Sequence, residues 1–177
     1  MSPAYPEFKG KRALITGGTQ GIGKAIAVRL ARQGAMVYLN YSRNEQAARE
    51  AFDQFREAGH AAELCKADLG ATESVEAMLV QIHQNGPLDL LVCNAAYQEK
   101  KGFFETDLAL IQRTLAINIL ANFQIIQTVA REMIAAGRKG RMVICSSGHG
   151  TMVFKAHSPT MSPKPRSIIS CVAPLWN

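Results

Sequence analysis

Three glycines, Gly17, Gly21 and Gly23, follow a short apolar run at residues 13–15 and precede a helical pattern. A strand that turns on glycines into a helix directs several backbone N–H groups and the positive end of the helix dipole at one point, which suits a pyrophosphate. We expect Gly17 to form the tight turn, Gly21 to let the backbone approach a ligand, and Gly23 to allow close helix–strand packing. The alternative is an ordinary strand-to-helix turn, but the strand before and the helix after favour a nucleotide site.

Further polar residues follow other apolar runs. They are residues 40–43, Asp68, Asn94 and Ser147, and each comes after a run that is typical of a buried strand. The carboxyl ends of parallel strands meet at one edge of a sheet, and open α/β sheets bind ligands there, at the point where the strand order reverses. We therefore expect these groups to meet the glycine turn in one crevice.

The elements that position these residues alternate between strand and helix. Apolar runs predict five strands, at residues 13–15, 35–40, 61–67, 88–93 and 141–145. Helices are predicted after residue 21, over 45–58, from a cap at Thr72, and over 107–136. The first helix is expected to bury a face formed around Ile22, Ala25, Ile26, Val28, Arg29 and Leu30. Five alternations without a repeat predict an α/β fold, a Rossmann-type doubly wound parallel sheet with helices on both faces.

Composition limits the function classes. The 177 residues are 47% hydrophobic, enough for one domain with a sizeable core. The net charge of +6 is dispersed, without a basic helix or an aromatic stripe, so a solvated surface is favoured over nucleic-acid binding. No apolar stretch approaches the length of a membrane span and no secretory signal opens the chain, so no membrane association is expected. Four scattered cysteines, without clustered histidines, predict reduced thiols in a cytoplasmic protein and no metal site.

Residues 151–177 differ in composition from the rest of the chain. They include three basic residues, no Asp or Glu, four of the seven prolines and the single tryptophan. We expect a dinucleotide-binding domain over residues 1–159 and an atypical proline-rich tail, neither helix nor strand, over residues 160–177.

Several motifs, in order, resemble the short-chain dehydrogenase/reductase family over residues 8 to about 160. Asp68-Leu69 matches the position that holds the adenine ring, and residues 90–96 resemble a strand followed by NNAG, with Cys93 and Ala96 in place of Asn and Gly. Asn118 falls at the family's helix asparagine, and Ser147 ends a strand as the catalytic serine does. The family's TGxxxGIG motif is matched by Thr16-Gly17-Gly18-Thr19-Gln20-Gly21-Ile22-Gly23.

This resemblance implies hydride transfer between NAD(P) and a small carbonyl or alcohol substrate, as in 3-oxoacyl and other carbonyl reductases. An NAD-preferring site carries a carboxylate at the end of the second strand, but after this strand the first carboxylate of the chain is Glu45. Arg43 is able to pair with a 2′-phosphate, so NADP(H) is the preferred cofactor. NAD(H) stays open, because Gln20 stands where NADP-using relatives often have a basic residue. The implied catalytic residues are Asn118, Ser147 and Lys164. The implied cofactor-binding residues are Gly17, Thr19, Gln20, Gly21, Ile22, Gly23, Tyr41, Ser42, Arg43, Asp68, Leu69, Asn94, Ala95 and Ala96.

The family's catalytic tyrosine is missing from its expected place. Its Tyr-x-x-x-Lys motif begins thirteen residues after the serine, and that position is Thr160, with Lys164 at the lysine position. Pro163 and Pro165 interrupt the helix on which the family carries this lysine. We therefore expect a chain truncated or frameshifted near residue 160, with the C-terminal part of the fold missing. The alternative is a natural short form with a new tail.

Three functions are compatible with these motifs. The first is an NADP(H)-dependent oxidoreductase, the second a catalytically inactive nucleotide-binding protein, and the third a poorly folding fragment without function. An intact relative is expected to form a homo-oligomer through the helix at residues 107–136. Tyr97 is the tyrosine nearest the substrate side, but it is not expected to replace the missing acid.

Overall fold

The computed structural model describes residues 8–146 and 170–171. The strands are β1 (Arg12–Ile15), β2 (Met36–Tyr41), β3 (Ala62–Lys66), β4 (Leu90–Cys93), β5 (Arg141–Ile144) and β6 (Ser170–Cys171). The α-helices are α1 (Gly21–Ala31), α2 (Glu45–Glu57), α3 (Thr72–His83), α4 (Leu108–Leu115) and α5 (Ala121–Ala135). A 3₁₀ turn (Phe103–Glu105) precedes α4, and a π-helical segment (Ala116–Leu120) joins α4 to α5.

The strands form one sheet in the order β3-β2-β1-β4-β5-β6. The first five run parallel, so the predicted doubly wound α/β fold is confirmed. The strand order reverses between β1 and β4, which places the expected crevice at the carboxyl ends of these two strands. The prediction that the tail contains no strand is wrong at residues 170–171, which pair antiparallel with β5 and make the sheet mixed.

Two apolar layers cover the two faces of the sheet. One layer packs the buried residues of α3 and α5 against the sheet, and the other packs α1 and α2 against the opposite face. In α3, the predicted stripe of Val75, Met78, Leu79 and Ile82 is buried. Thr72 is not the cap of α3, since that place belongs to Ala71 and Thr72 is the first helical residue.

The buried face of α1 differs from the predicted one. Gly23, Ala27 and Ala31 face the sheet, whereas Ile22 is 71% exposed. Helix α1 packs close to β1 because small residues line its inner face, and the branched side chains lie at the edges of the contact. The prediction was therefore wrong for Ile22, Ala25 and Arg29, which are exposed, whereas Ile26, Val28 and Leu30 are half-buried and pack against the core.

The long helix predicted over residues 107–136 is present as α4, the π-helical segment and α5. Asp107 caps its start, with its carboxylate accepting the Leu110 N–H at 2.7 Å. Ile117, Ala121, Ile125, Val129 and Met133 form its buried face. By length and composition alone, the 28 residues from Leu108 to Ala135 would suffice to cross a membrane, contrary to the sequence prediction. The buried face of this helix packs in the core beside α3, and 28% of its most apolar window is buried.

Candidate functional site

A cavity of about 640 Å³ lies at the carboxyl ends of the central strands. Every predicted cofactor-binding residue except Gly23 lines it. The lining also includes six residues that the sequence prediction did not name as cofactor-binding: Asn40, Asn44, Ala67, Tyr97, Arg113 and Ile117. Residues from four different loops thus meet at one place, because the parallel strands all deliver their carboxyl ends to this edge.

The glycine turn presents its backbone to the cavity. Gly17 and Gly21 both have positive φ, +62° and +53°, which favours glycine over any residue with a side chain. A Cβ at Gly21 would meet no atom within 4 Å, so this glycine borders open space. Gln20, the N-cap of α1, makes no side-chain capping bond, and the first turn of α1 carries no acidic residue. The start of α1 therefore fits a dinucleotide phosphate.

Gly23 lies beneath this turn and does not line the cavity. A Cβ there would be 2.3 Å from the Gly17 carbonyl oxygen and 2.5 Å from Asn94 Nδ2. The close approach of α1 to the ends of β1 and β4 thus leaves room for no side chain, in agreement with the packing role expected for Gly23.

Thr16 and Asn94 join the ends of β1 and β4. The Thr16 hydroxyl oxygen accepts the backbone N–H groups of Asn94 and Ala95 at 2.9 and 3.0 Å. The Asn94 side-chain amide donates in return to the carbonyl oxygens of Thr16 and Gly17, at 3.1 and 3.3 Å. These four bonds set the spacing of the two loops that form the floor of the cavity.

Asn40 has a similar role between β1, β2 and β3. Its Oδ1 accepts the Gly17 N–H at 3.3 Å, and its Nδ2 donates to the carbonyl oxygens of Cys65 and Ala67, both at 3.3 Å. The residue is 2% exposed, so these bonds are shielded from water. Only one feature of the sequence signals this role, an amide placed at the end of an otherwise apolar strand.

Charged groups also line the cavity. Asp68 accepts the Gly70 N–H at 2.9 Å and lies 3.3 Å from Arg113 Nη2. The Gly70 hydrogen bond, helped by the Arg113 guanidinium, holds the pKa of the Asp68 carboxyl below its usual range, although partial burial acts in the opposite direction. Within residues 8–146, no carboxylate forms an ion pair with Arg43. Of the two arginines that line the cavity in this part of the chain, Arg113 is thus paired and Arg43 is not.

Asn118 lies in the π-helical segment, next to the cavity. Its Oδ1 accepts the Tyr97 N–H at 2.8 Å, and its Nδ2 donates to the Tyr97 carbonyl oxygen at 2.9 Å. The long helix is thereby joined to the loop that leaves β4. Both polar atoms of the amide are engaged with Tyr97, so in this structure the side chain positions that loop.

Tyr97 does not provide a ready acid. Its hydroxyl donates to Glu99 Oε2 at 2.7 Å, and this bond, with a smaller effect of burial, raises the pKa of the phenol above its usual value. The other predicted catalytic residues, Ser147 and Lys164, lie outside the described residues, as does Thr160.

The buried cysteines are inert. Burial raises the pKa of both Cys65 and Cys93 to about 12, so their thiols are protonated at neutral pH. Cys65, Cys93 and Cys145 form no disulfide. Among the described residues, no group of three or more His, Cys, Asp or Glu side chains is arranged to hold a metal ion.

Comparisons with known proteins agree with this geometry. The model of the short chain dehydrogenase family matches residues 11–161. The chain is 33% identical to the L-rhamnose 1-dehydrogenase (NADP(+)) of Thermoplasma acidophilum over 87% of its own length and 62% of that protein. It is 34% identical to the D-erythrulose reductase of Gallus gallus, over 89% of its own length and 61% of that protein.

Solved structures give the same result. A short chain dehydrogenase from Burkholderia cenocepacia J2315 in complex with NADP superimposes with a TM-score of 0.76 at 32% identity, covering 85% of this chain and 60% of that one. The chain therefore spans about three fifths of the length of these relatives. The family model matches most of the sequence, and the glycine turn, Asp68 and Asn94 lie around one cavity. This chain belongs to the short-chain dehydrogenase/reductase family.

Proposed function

We propose that this protein binds NADP(H) in the cavity and that its activity is hydride transfer between NADP(H) and a small carbonyl or alcohol substrate. The observation that carries the proposal is the cavity itself, where the residues implied by the family motifs meet. The resemblance to an NADP-bound dehydrogenase and to an L-rhamnose 1-dehydrogenase (NADP(+)) supports the same cofactor. We place the dinucleotide-binding domain at residues 1–159 and treat residues 160–177 as a separate tail.

The residues around the cavity divide into three groups along a bound dinucleotide. The turn at residues 17–23 holds the pyrophosphate through backbone N–H groups and the positive end of α1. Asp68 and Leu69 border the adenine ring. Asn94, Ala95 and Ala96 border the nicotinamide half, where Asn118 keeps the loop in place through Tyr97.

Arg43 supports the preference for NADP(H) over NAD(H). It lines the cavity at the end of β2, where an NAD-specific protein of this fold carries a carboxylate for the ribose 2′-hydroxyl. Within residues 8–146, the Arg43 guanidinium forms no ion pair with a carboxylate. It is therefore suited to a 2′-phosphate, because a guanidinium forms charge-assisted bonds in a forked geometry.

The chemical step needs a proton donor at the substrate oxygen, either a group of the protein or a water molecule. The nicotinamide of a bound dinucleotide supplies or accepts the hydride, and the substrate oxygen must gain or lose a proton at the same time. We assign the binding of that oxygen to Ser147, the support of the proton path to Lys164, and the positioning of the Tyr97 loop to Asn118. The family's tyrosine is replaced by Thr160, whose hydroxyl is too weak an acid for this task.

A second candidate function follows from this substitution. A nucleotide-binding protein without turnover is favoured by Thr160 and by the hydrogen bond from the Tyr97 hydroxyl to Glu99, which engages the phenol nearest the substrate side. The two candidates share the binding site and differ only in the proton transfer.

Binding and turnover are therefore measured separately on the full chain. NADPH and NADH are titrated by ligand fluorescence, and NADPH oxidation is followed with a panel of aldehydes, ketones and ketoses. Tight NADPH binding with carbonyl reduction supports the oxidoreductase, and NADPH binding without reduction supports the inactive binder. A broad melt that neither dinucleotide shifts would contradict both and favour a fragment without function.

Arg43→Gln tests the cofactor preference. We expect it to weaken NADPH binding by about tenfold and NADH binding by less than about twofold, because only NADPH carries the 2′-phosphate. Arg131→Gln on α5, which is exposed and outside the cavity, is the matched control for the change in net charge. Equal losses of both dinucleotides would contradict the assignment.

We further propose that two copies associate through the outer face of the long helix and that the protein is cytoplasmic. Leu108, Leu120 and Phe123 are 61–68% exposed on this face, which is more apolar than a solvated helix surface requires. The thiols of Cys65 and Cys93, which form no disulfide, suit a reducing compartment. Light scattering of the wild type and Phe123→Lys tests the association, and an unchanged mass in the variant would contradict it.

A further inference from the structure

Arg113 reaches the cavity from a distant part of the chain. Its side chain extends from α4 towards the loops that follow β3 and β4. There its Nη2 lies 3.3 Å from Asp68 Oδ2, and its guanidinium lies 5.4 Å from the centre of the Tyr97 ring. The Arg113 side chain is 39% exposed, and these two contacts fix its direction. The family motifs include no residue at this position, so the sequence assigned no role to it.

The ion pair between Arg113 and Asp68 affects the balance of charge in the cavity. Among the described residues, those that line it with a charge are Arg43, Asp68 and Arg113. Asp68 contributes the carboxylate of this set, and Arg43 is close enough for its charge to favour the ionised form of Asp68. Without Arg113, Arg43 is the remaining cation of this set that can interact with the Asp68 carboxylate. A phosphate bound beside Arg43 would then also be repelled by the negative charge of Asp68, which no longer has an ion-pair partner in this set.

We propose that Arg113 is a specificity-determining residue, which neutralises Asp68 and so keeps the positive charge of Arg43 available for the 2′-phosphate of NADP(H). This inference rests on the nucleotide binding proposed above and adds a residue to it. Arg113 acts through Asp68 and does not itself contact the phosphate.

The expected effects have a definite pattern. Arg113→Met weakens NADPH binding about five- to tenfold, since one uncompensated charge at a partly exposed site changes binding by this order. NADH binding changes by less than about twofold, because NADH has no 2′-phosphate. In an Asp68→Asn background the same substitution has little effect on NADPH, because there is no carboxylate left to neutralise, while the amide oxygen introduced at position 68 still accepts the Gly70 N–H.

The experiment is a double-mutant cycle with NADPH and NADH as probes. Dissociation constants are measured for the full-length wild type, Arg113→Met, Asp68→Asn and the double variant. Arg113→Lys keeps the charge and should retain at least part of the NADPH preference. Arg131→Met on α5 removes one positive charge outside the cavity and should leave both constants unchanged.

A selective loss of NADPH binding in Arg113→Met that disappears in the Asp68→Asn background supports the proposal. An equal loss of both dinucleotides, or a loss of the same size in the Asp68→Asn background, overturns it and makes Arg113 a structural residue. If the wild type binds NADPH and Arg113→Met changes nothing, this inference fails and the proposed function stands. If the wild type binds neither dinucleotide, both fail.

Discussion

Replacing Gly23 by alanine tests how the glycine turn at residues 17–23 is built. The new Cβ would lie 2.3 Å from the Gly17 carbonyl oxygen and 2.5 Å from Asn94 Nδ2, whereas Cβ atoms in proteins essentially never approach other heavy atoms within 3.0 Å. Helix α1 must therefore move outward by at least about 0.7 Å, or the Gly17 carbonyl and the Asn94 side chain must both leave their places. Both responses alter the floor of the cavity.

The cost follows from these contacts. Overpacking of this kind costs about 1–3 kcal/mol. Displacing the Asn94 amide weakens two hydrogen bonds, to the Thr16 and Gly17 carbonyl oxygens, each worth about 1 kcal/mol. The higher helix propensity of alanine offsets about 1 kcal/mol. We expect a net loss of about 2–4 kcal/mol in the free energy of unfolding, which lowers Tm by about 5–15 °C in a domain of this size.

The assay compares Gly23→Ala with Gly137→Ala by urea unfolding and by NADPH titration. Gly137 has φ +61° and a Cβ there would meet nothing within 4 Å, so its substitution measures backbone strain without a clash, at about 1 kcal/mol. Gly137 lies beyond the end of α5, away from the cavity, and its variant should bind NADPH normally. If Gly23→Ala is no less stable than Gly137→Ala, or binds NADPH like the wild type, the close packing argued for Gly23 is refuted.

Three further outcomes are expected. Thr16→Val removes the acceptor of two backbone N–H groups and should lower the free energy of unfolding by about 2–3 kcal/mol in urea, whereas Thr16→Ser should retain most of it. Cys65 and Cys93, with pKa values of about 12, should react with iodoacetamide at pH 8 at least about 100-fold more slowly in the native protein than in urea, as read by intact mass. The lowered pKa of Asp68 contributes stability that is present above its unfolded-state pKa and is lost as the pH falls through the lower folded value. Asp68→Asn should therefore reduce the loss of stability below about pH 4, as measured by urea unfolding across that range.

The strands were predictable because the central ones, β1, β2 and β4, are buried and therefore appear in the sequence as mainly apolar runs. The outer strands β3 and β5 are less buried but carry shorter apolar segments. All five predicted strands are present, with ends that differ by at most two residues. The stripe of α3 was predictable for a related reason, since large apolar residues at helical spacing mark its buried face.

Helix α1 departs from this rule because its N-terminus lies close to the ends of β1 and β4. Its inner face therefore carries Gly23, Ala27 and Ala31, and Ile22 borders the cavity instead. A pattern based on large apolar residues misses the small residues at the centre of the contact and identifies only its half-buried edge, Ile26, Val28 and Leu30. The family motif, which specifies Gly23, predicted the packing where periodicity did not.

The sequence predicted some of the residues that shape the cavity and missed others, and this difference has a physical cause. The family motifs select the glycine turn, Asp68 and Asn94 by residue type and spacing along the chain, but they do not identify the distant partners that these residues bond, such as Thr16 for Asn94. Thr16, Asn40 and Arg113 act on partners 23 to 79 residues away, across strands whose neighbours are set only by the order of the sheet. Thr16 and Asn40 join strand ends by polar bonds, and Arg113 joins α4 to the loop after β3. The local motifs therefore predict the class of ligand, whereas the long-range bonds determine the shape and the charge of the cavity.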